Sequence, residues 1–155
     1  MHLGLGLDVG GTKCRWALAN RQGEFLTGGN TGGFKGQQFT TEEGRHHIRR
    51  QLESVHAALR ASQPEGFNVP TAAWVGVSGY DGPGGHAGES GSGLRAHIAN
   101  GLGMPSQALG LYNDVELAHR VSLEPGAGYL VYAGTGCIAT YLDPDDLLHR
   151  VGGRG

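Results

Sequence analysis

Short apolar runs bounded by glycine and polar residues recur along the chain, and their spacing predicts an α/β protein. Residues 3–9 are apolar enough to form a strand that is buried on both faces. Residues 13–19 alternate between apolar and polar side chains, and residues 24–28 follow a turn-forming Asn-Arg-Gln-Gly sequence. The chain is therefore predicted to begin with an antiparallel meander of three strands, followed by a glycine-rich loop over residues 28–36.

A helical period replaces this alternation after the loop. Thr40 or Thr41 is placed to cap a helix that runs to about Ser62. Its apolar stripe consists of Ile48, Leu52, Val55 and Leu59. Later runs predict strands over 71–77 and 109–112, helices over 94–102 and 114–122, and a hairpin of strands 128–133 and 137–142. This order predicts a ribonuclease-H-like α/β lobe with a mixed central sheet, an antiparallel meander plus parallel strands, flanked by helices.

Composition narrows the class of protein. The chain has 155 residues, a length typical of one domain, and a formal net charge of −2, which gives no electrostatic basis for binding nucleic acid or an anionic membrane. It has neither an apolar stretch of about 18 residues nor a cationic leader, so we expect a soluble cytoplasmic protein. Cys14 and Cys137 are far apart and predict no disulfide framework. Cys137 is expected to be a small buried residue.

The first predicted strand ends in a glycine turn whose residues could bind a phosphate or a cation. Asp8 is followed, after one valine, by Gly10, Gly11, Thr12 and Lys13. A carboxylate there can organise a hydrated divalent cation, while the N–H groups of the turn and the threonine hydroxyl face phosphate oxygens. The lysine could touch phosphate or be solvated. The alternative is a plain hairpin turn with a surface aspartate, and the spacing differs from that of a Walker A loop.

Asn113 and Asp114 stand where a predicted strand meets a short helix. An aspartate in this position is commonly a helix N-cap that binds free N–H groups. It is also suited to act as the general base that takes a proton from a hydroxyl attacking a γ-phosphoryl group. Position alone leaves both roles open, and they are compatible if the asparagine caps the helix.

Other strand ends carry glycine or hydrogen-bonding residues. Gly134, Thr135 and Gly136 lie inside the second predicted hairpin and repeat the pattern of the first turn, as expected if a triphosphate is held between two hairpins. Asn30 and Ser78 also lie at predicted strand ends and could donate hydrogen bonds to a polyol, although such residues are common in ordinary turns.

Taken in order, these motifs resemble those of the actin/Hsp70/sugar-kinase superfamily, and within it the N-acetylglucosamine kinase and BadF/BadG/BcrA/BcrD ATPase group. The matching segments are Asp-Val-Gly-Gly-Thr-Lys at 8–13, Gly-Val-Ser-Gly at 76–79, Asn-Asp at 113–114 and Ala-Gly-Thr-Gly at 133–136. One departure is Cys137, which stands where the amino-sugar kinases usually have serine. The resemblance covers nearly the whole chain.

The resemblance implies an ATP-dependent kinase that phosphorylates an amino sugar such as N-acetylglucosamine or glucosamine, with Mg²⁺. By resemblance, Asp114 is the catalytic base and Asp8 organises Mg²⁺ through water. The two glycine motifs hold the phosphates of ATP, and the sugar contacts are Asn30, Ser78, Gly79, Asn113 and Asp114.

The resemblance also implies that residues 1–155 form one N-terminal lobe, and that a second, adenosine-binding lobe is absent from this chain. Residues 151–155, Val-Gly-Gly-Arg-Gly, resemble the start of the segment that leads into that lobe. In the family, the second lobe also supplies part of the dimer contacts. Catalysis would then need a partner, either a homodimer or a complementing second-lobe chain, or would be lost.

Three other functions compete with a sugar kinase. An ATPase activator of the dehydratase or benzoyl-CoA reductase type shares the ATP motifs but carries an iron–sulfur cluster, for which Cys14 and Cys137 are poorly placed. A ribonuclease-H-like nuclease could use Asp8 and Asp114 for two metal ions, but the chain lacks a basic stripe. The third is a non-catalytic lobe that binds sugar or a partner.

Overall fold

The structure is a computed structural model that describes residues 2–63, 66–82, 90–133 and 137–152. The chain divides into two compact units, Met1–Asp114 and Val115–Gly155, each of which is described by itself. The prediction that the whole chain forms one lobe stays a prediction.

The first unit is a five-stranded mixed sheet with two helices. Its strands are β1 (Leu3–Val9), β2 (Lys13–Asn20), β3 (Phe25–Gly32), β4 (Ala72–Val77) and β5 (Leu109–Asn113), and its helices are α1 (Glu42–Ala61) and α2 (Ser90–Leu102). Two short 3₁₀ helices span Gly36–Thr40 and Ser106–Ala108. The strand order is β3-β2-β1-β4-β5. Antiparallel pairs join β1, β2 and β3, and parallel pairs join β1, β4 and β5, so the predicted fold class is confirmed.

Strand β1 is buried on one face, not on both as predicted. Leu3, Leu5, Leu7 and Val9 enter the core, whereas the glycines and the aspartate between them lie on the opposite face. Glycine has no side chain to bury. A strand in which leucine and glycine alternate therefore presents apolar side chains on one face only. The core thus forms on a single side of the sheet, where the apolar residues of α1 and α2 belong to the same buried cluster.

Helix α1 begins and ends as the sequence predicts. The Thr41 hydroxyl caps it by accepting a hydrogen bond of 3.1 Å from the Gly44 N–H, and the helix ends before Ser62. The predicted stripe of Ile48, Leu52, Val55 and Leu59 is buried. This amphipathic pattern is a strong signal because four apolar side chains repeat at the helical period.

Strand β3 extends four residues beyond its predicted end. Gly28 and Gly29 pair with Ala17 and Trp16 of β2 and do not form a loop. A Cβ placed on Gly29 would lie 3.0 Å from the ring of Trp16, so the glycine makes room for the indole. Glycine clusters usually indicate turns, and the sequence alone does not show that this glycine packs against an indole ring.

The second unit contains α3, except for its first residue, and a three-stranded antiparallel sheet. Helix α3 spans Asp114–Ser122, and the strands are β6 (Tyr129–Ala133), β7 (Cys137–Leu142) and β8 (Leu148–Gly152), in the order β6-β7-β8. The predicted helix and hairpin are confirmed, and β8 is an additional strand that the sequence analysis missed. The buried His119 ring joins α3 to β7 through a hydrogen bond of 2.8 Å between its Nδ1 and Thr140 Oγ1.

None of the described helices is both long and apolar enough to cross a lipid bilayer.

We predict different reactivity for the two cysteines. Burial raises the pKa of the Cys14 thiol to about 11, whereas Cys137 is exposed, contrary to the sequence expectation. Since the thiolate is the nucleophile, iodoacetamide at pH 8 should label Cys137 within minutes and leave Cys14 unlabelled until urea unfolds the chain. Peptide mass spectrometry gives the readout, with C137S as the control that should remain unlabelled. Rapid labelling of Cys14 in the folded protein would contradict its place in the core.

We also predict that His97 makes stability depend on pH. Burial lowers the pKa of His97, helped by the nearby Arg49 and Arg45. The unfolded chain therefore binds more protons, so this contribution is complete above about pH 6.5 and is lost as the pH falls through the lower folded pKa. The loss is at most about 1.4 kcal/mol per pH unit. Urea unfolding between pH 5 and 7.5 should show a flatter profile for H97Q than for the parent, whereas H46Q, at an exposed site, should retain the parental slope.

Candidate functional site

Three of the predicted motifs meet at one edge of the first sheet. Val9, Val77 and Asn113 are paired side by side across β1, β4 and β5. The next residues along the chain are Gly10, Ser78 and Asp114, each of which follows the carboxyl end of a parallel strand. In open α/β sheets this edge is the usual place for ligands. The register therefore brings the first glycine turn, the Ser-Gly turn and the Asn-Asp pair into one location.

The turn between β1 and β2 presents backbone donors. Gly10 N–H donates a hydrogen bond of 2.9 Å to the Lys13 carbonyl and closes the turn. Among the described residues, nothing accepts a hydrogen bond from the amides of Gly11 and Thr12. Consecutive unpaired amides of this kind suit an anionic group, such as the oxygens of a phosphate.

Asp8 lies beside this turn and forms an ion pair. Its Oδ2 accepts a hydrogen bond of 3.0 Å from Arg15 Nη1, and the two residues are paired directly across β1 and β2. The carboxylate remains 58% exposed. One exposed carboxylate, with one oxygen engaged by arginine, fits Mg²⁺ that retains its waters and takes its other ligands from phosphates. Among the described residues, no group of three or more acidic, histidine or cysteine side chains could hold a metal ion.

The segment that follows β3 returns to the first turn. A Cβ placed on Gly33 would clash with the Gly10 carbonyl and lie 2.6 Å from the Lys13 backbone nitrogen, so only glycine fits. The His47 ring holds the same residue from α1, donating from Nε2 to the Gly33 carbonyl over 3.1 Å. Backbone therefore packs directly against backbone at this point.

The Ser-Gly turn after β4 is tied to both neighbours. Ser78 N–H donates to the Val9 carbonyl, and the Ser78 carbonyl accepts from Gly36 N–H, each over 2.9 Å. Asn113 is 7% exposed, and its Nδ2 donates to the Tyr80 carbonyl over 2.9 Å. This amide thus supports the turn from within, and the predicted sugar contact of Asn113 stays a prediction.

Gly79 sits in the left-handed region, with φ of +71°, where other residues are strained. The Gln37 side-chain amide lies against it, and a Cβ at this position would clash with that amide. Gly36 packs against the same turn, since its own Cβ would lie 2.8 Å from the Gly79 carbonyl oxygen. Gln37 is therefore held beside the predicted Ser78 and Gly79 contacts.

Asn30 is placed apart from the other predicted residues. It lies within β3 and pairs with Arg15, on the side of the sheet away from β5. Four strand intervals separate β3 from β5, which corresponds to roughly 20 Å. The predicted contact of Asn30 with the sugar stays a prediction.

Asp114 is the first residue of α3 and is partly buried. Its position at the end of β5 fits both roles that the sequence left open, the helix cap and the general base. The second predicted phosphate loop, Gly134, Thr135 and Gly136, lies outside the described residues. Its role stays a prediction.

Lys35 and Gln37 are the candidate site residues that the sequence analysis missed. Both follow β3 in the Gly-Gly-Phe-Lys-Gly-Gln segment, which resembles a solvent-exposed glycine-rich loop. The hydrocarbon chain of Lys35 crosses the first turn beside Gly11. A glycine on either side of Phe-Lys was the only available signal, and it carries no information about which turn the segment contacts.

Three solved structures with a similar fold are named as sugar kinases. A Chromobacterium violaceum protein provisionally assigned as an N-acetylglucosamine kinase is 22% identical, with a TM-score of 0.62 over 100% of this chain and 50% of its own. The inorganic polyphosphate/ATP-glucomannokinase of Arthrobacter sp. strain KM is also 22% identical, with a TM-score of 0.58 over 92% and 59%. Glucokinase from Balamuthia mandrillaris, solved with glucose, is 16% identical, with a TM-score of 0.55 over 97% and 47%.

These similarities establish the fold, which this chain shares with about half of each of the three solved structures. No protein-family model and no curated protein sequence matches the chain. The chain spans about half the length of the solved structures that it matches.

We predict that G33A destabilises the first unit. The added methyl group meets the backbone of the first turn, which cannot move without breaking the hairpin, so the cost should be about 1–3 kcal/mol. Urea unfolding at pH 7.5 measures the free energy. The matched control is G4A, because a Cβ at that position meets nothing within 4 Å and the residue lies within β1.

G4A should be neutral or slightly stabilising, since alanine restricts the unfolded chain more than glycine does. Equal unfolding free energies for G33A and the parent protein would show that the segment after β3 does not rest against the first turn.

Proposed function

We propose that this lobe belongs to an ATP-dependent kinase that transfers the γ-phosphoryl group to a hydroxyl of a hexose, with amino sugars as the preferred class. The observation that carries the proposal is the row of Val9, Val77 and Asn113, which gathers three motifs at the carboxyl edge of one sheet. The sugar-kinase fold of the lobe supports the same activity.

Asp114 is the proposed general base. It follows β5 at the same edge of the sheet where Gly10 follows β1 and Ser78 follows β4. The carboxylate accepts the proton of the sugar hydroxyl as that oxygen attacks the γ-phosphorus. A new O–P bond forms, the bond from the γ-phosphorus to the bridging oxygen breaks, and ADP leaves with the electron pair. Positioning and charge neutralisation dominate such transfers.

The first turn is the proposed contact for the phosphates. The N–H groups of Gly11 and Thr12 are the proposed donors to phosphate, because the Gly10 N–H already bonds to the Lys13 carbonyl and closes the turn. Asp8 is suited to hold the waters of Mg²⁺, which neutralises phosphate charge when it is bound. Its pairing with Arg15 fixes the carboxylate beside the turn.

Ser78 and Gln37 are the proposed sugar contacts in the described part of the site. The Ser78 backbone is fixed on both sides by hydrogen bonds, and Gln37 lies against the adjacent Gly79. A hydroxyl and an amide on these segments distinguish sugars by the direction of their hydroxyl groups. Asn113 would act as a positioning residue for this turn, through its bond to Tyr80.

The choice of an amino sugar rests on the sequence resemblance and on the name of one similar structure. The other two similar proteins are named for glucose, mannose-type sugars or polyphosphate, so a neutral hexose is the second candidate. The ATPase activator is less favoured because Cys14 faces the core of the first unit and is buried, where it cannot meet a cluster at a surface.

A non-catalytic lobe that binds sugar or a partner remains an alternative. The chain spans about half the length of the similar structures, and the proposed activity is that of a whole kinase to which such a lobe belongs. Binding of sugar is the property that the lobe should retain by itself, because the strand-end residues all belong to the first unit.

We predict that the purified chain binds N-acetylglucosamine or glucosamine in isothermal titration, and that D114N weakens this binding about 10- to 100-fold. The reason is the loss of a hydrogen bond to a charged acceptor. Glucose, mannose and a sugar without a phosphorylatable hydroxyl complete the panel, each with and without Mg-ATP. The matched control is E53Q, an exposed acid on α1, which should bind like the parent.

Where turnover is measurable, D114N should lower kcat by about 10²- to 10⁴-fold, as expected for a general base. Nucleotide binding without any sugar binding would exclude the kinase and favour the ATPase activator. Sugar binding of equal strength in D114N and the parent would exclude Asp114 from the site.

A further inference from the structure

The side chain of Lys35 lies across the first glycine turn. A Cβ placed on Gly11 would come within 2.7 Å of Lys35 Cε, 3.3 Å of Cγ and 3.6 Å of Cδ. The backbone of Gly11 is outside the left-handed region, so its conformation does not itself require glycine. The missing side chain at Gly11 instead provides the space that the lysine occupies.

Hydrogen bonds hold the backbone of Lys35 beside the turn. Lys35 N–H donates a hydrogen bond of 2.7 Å to Gln38 Oε1, and the Lys35 carbonyl accepts one of 3.1 Å from Gln38 N–H. On either side, Gly33 rests against the first turn, and Gly36 N–H is bound to Ser78. Lys35 is thus anchored on both flanks beside the turn.

Lys13 has a different orientation, although the sequence places it inside the motif. Its backbone closes the turn, and it opens β2 with Arg15 two residues later. Residues two apart in a strand project from the same face, so the Lys13 side chain lies on the face that carries the Arg15–Asp8 pair. The lysine that crosses the turn is the one from the segment after β3.

The surroundings of Lys35 favour an anionic ligand. In the described ranges no carboxylate forms an ion pair with its ammonium group, whereas Asp8 is already paired with Arg15. The neighbouring amides of Gly11 and Thr12 have no acceptor among the described residues. A lysine side chain close to adjacent N–H groups without acceptors is a combination that suits phosphate oxygens.

We propose that Lys35, and not Lys13, supplies the cation of the first phosphate turn, where it binds the terminal phosphates of a nucleotide or polyphosphate. This assignment rests on the proposed function. The ammonium group of Lys35 neutralises phosphate charge, and the N–H groups of Gly11 and Thr12 donate hydrogen bonds to the phosphate oxygens. Gly11 is small because a side chain would displace the lysine.

The first test compares K35M with K13M as its matched control. Methionine retains most of the side chain but removes the charge in both variants. Isothermal titration with tripolyphosphate and with Mg-ATP should show about tenfold or greater loss of affinity for K35M and less than a threefold change for K13M. Sugar affinity without nucleotide should be the same in K35M and the parent, which separates phosphate binding from damage to the fold.

The second test is a double-mutant cycle between Gly11 and Lys35. G11A should weaken tripolyphosphate binding in the parent because the new methyl group displaces the lysine, and should have little further effect when K35A has already removed it. Additive losses would show that the two positions act independently and would overturn the assignment, as would full phosphate affinity in K35M.

The two hypotheses fail in different ways. A parent chain that binds neither tripolyphosphate nor Mg-ATP would refute phosphate binding at this turn, and with it both proposals. A parent chain that binds them, while K35M binds equally well or K13M loses more, would refute only the role of Lys35.

Discussion

Hydrogen bonds hold β4 between β1 and β5 and align the carboxyl ends of the three strands. The parallel register aligns Val9, Val77 and Asn113, so the residue after each emerges at one edge of the sheet. A shift of one residue in either pair would turn the apolar positions of that strand away from the core. The buried face of the sheet therefore fixes the geometry of the candidate site, and the site depends on core packing from which its own residues are largely absent.

Close approach of backbone segments extends this edge into a site. The segment after β3 rests on the first turn through Gly33 and on the Ser-Gly turn through Gly36. These contacts exclude any side chain, which explains why glycine follows β3 so densely. The connection between β3 and α1 therefore lines the site, with Lys35 beside the first turn and Gln37 beside the Ser-Gly turn.

The charges at this edge are divided between structure and function. Arg15 pairs with Asp8 across two strands, which leaves the carboxylate exposed but fixed. The proposed phosphate contact falls to Lys35, from a different part of the chain, and to backbone amides that carry no net charge. A site built in this way requires few charged residues.

Local pattern by itself determined the helices, most of the strands and the fold class, because apolar side chains repeat at periods of 3.6 and 2 wherever one face is buried. It also selected Asp8, Ser78 and Asp114, which the parallel register brings to one edge. The tertiary structure alone decided that β1 has a single buried face, that β3 continues through its glycines, and that Asn30 lies far from β5. It alone brought Lys35 onto Gly11, because a contact between segments about 24 residues apart depends on how the sheet pairs and leaves no periodic trace in the sequence.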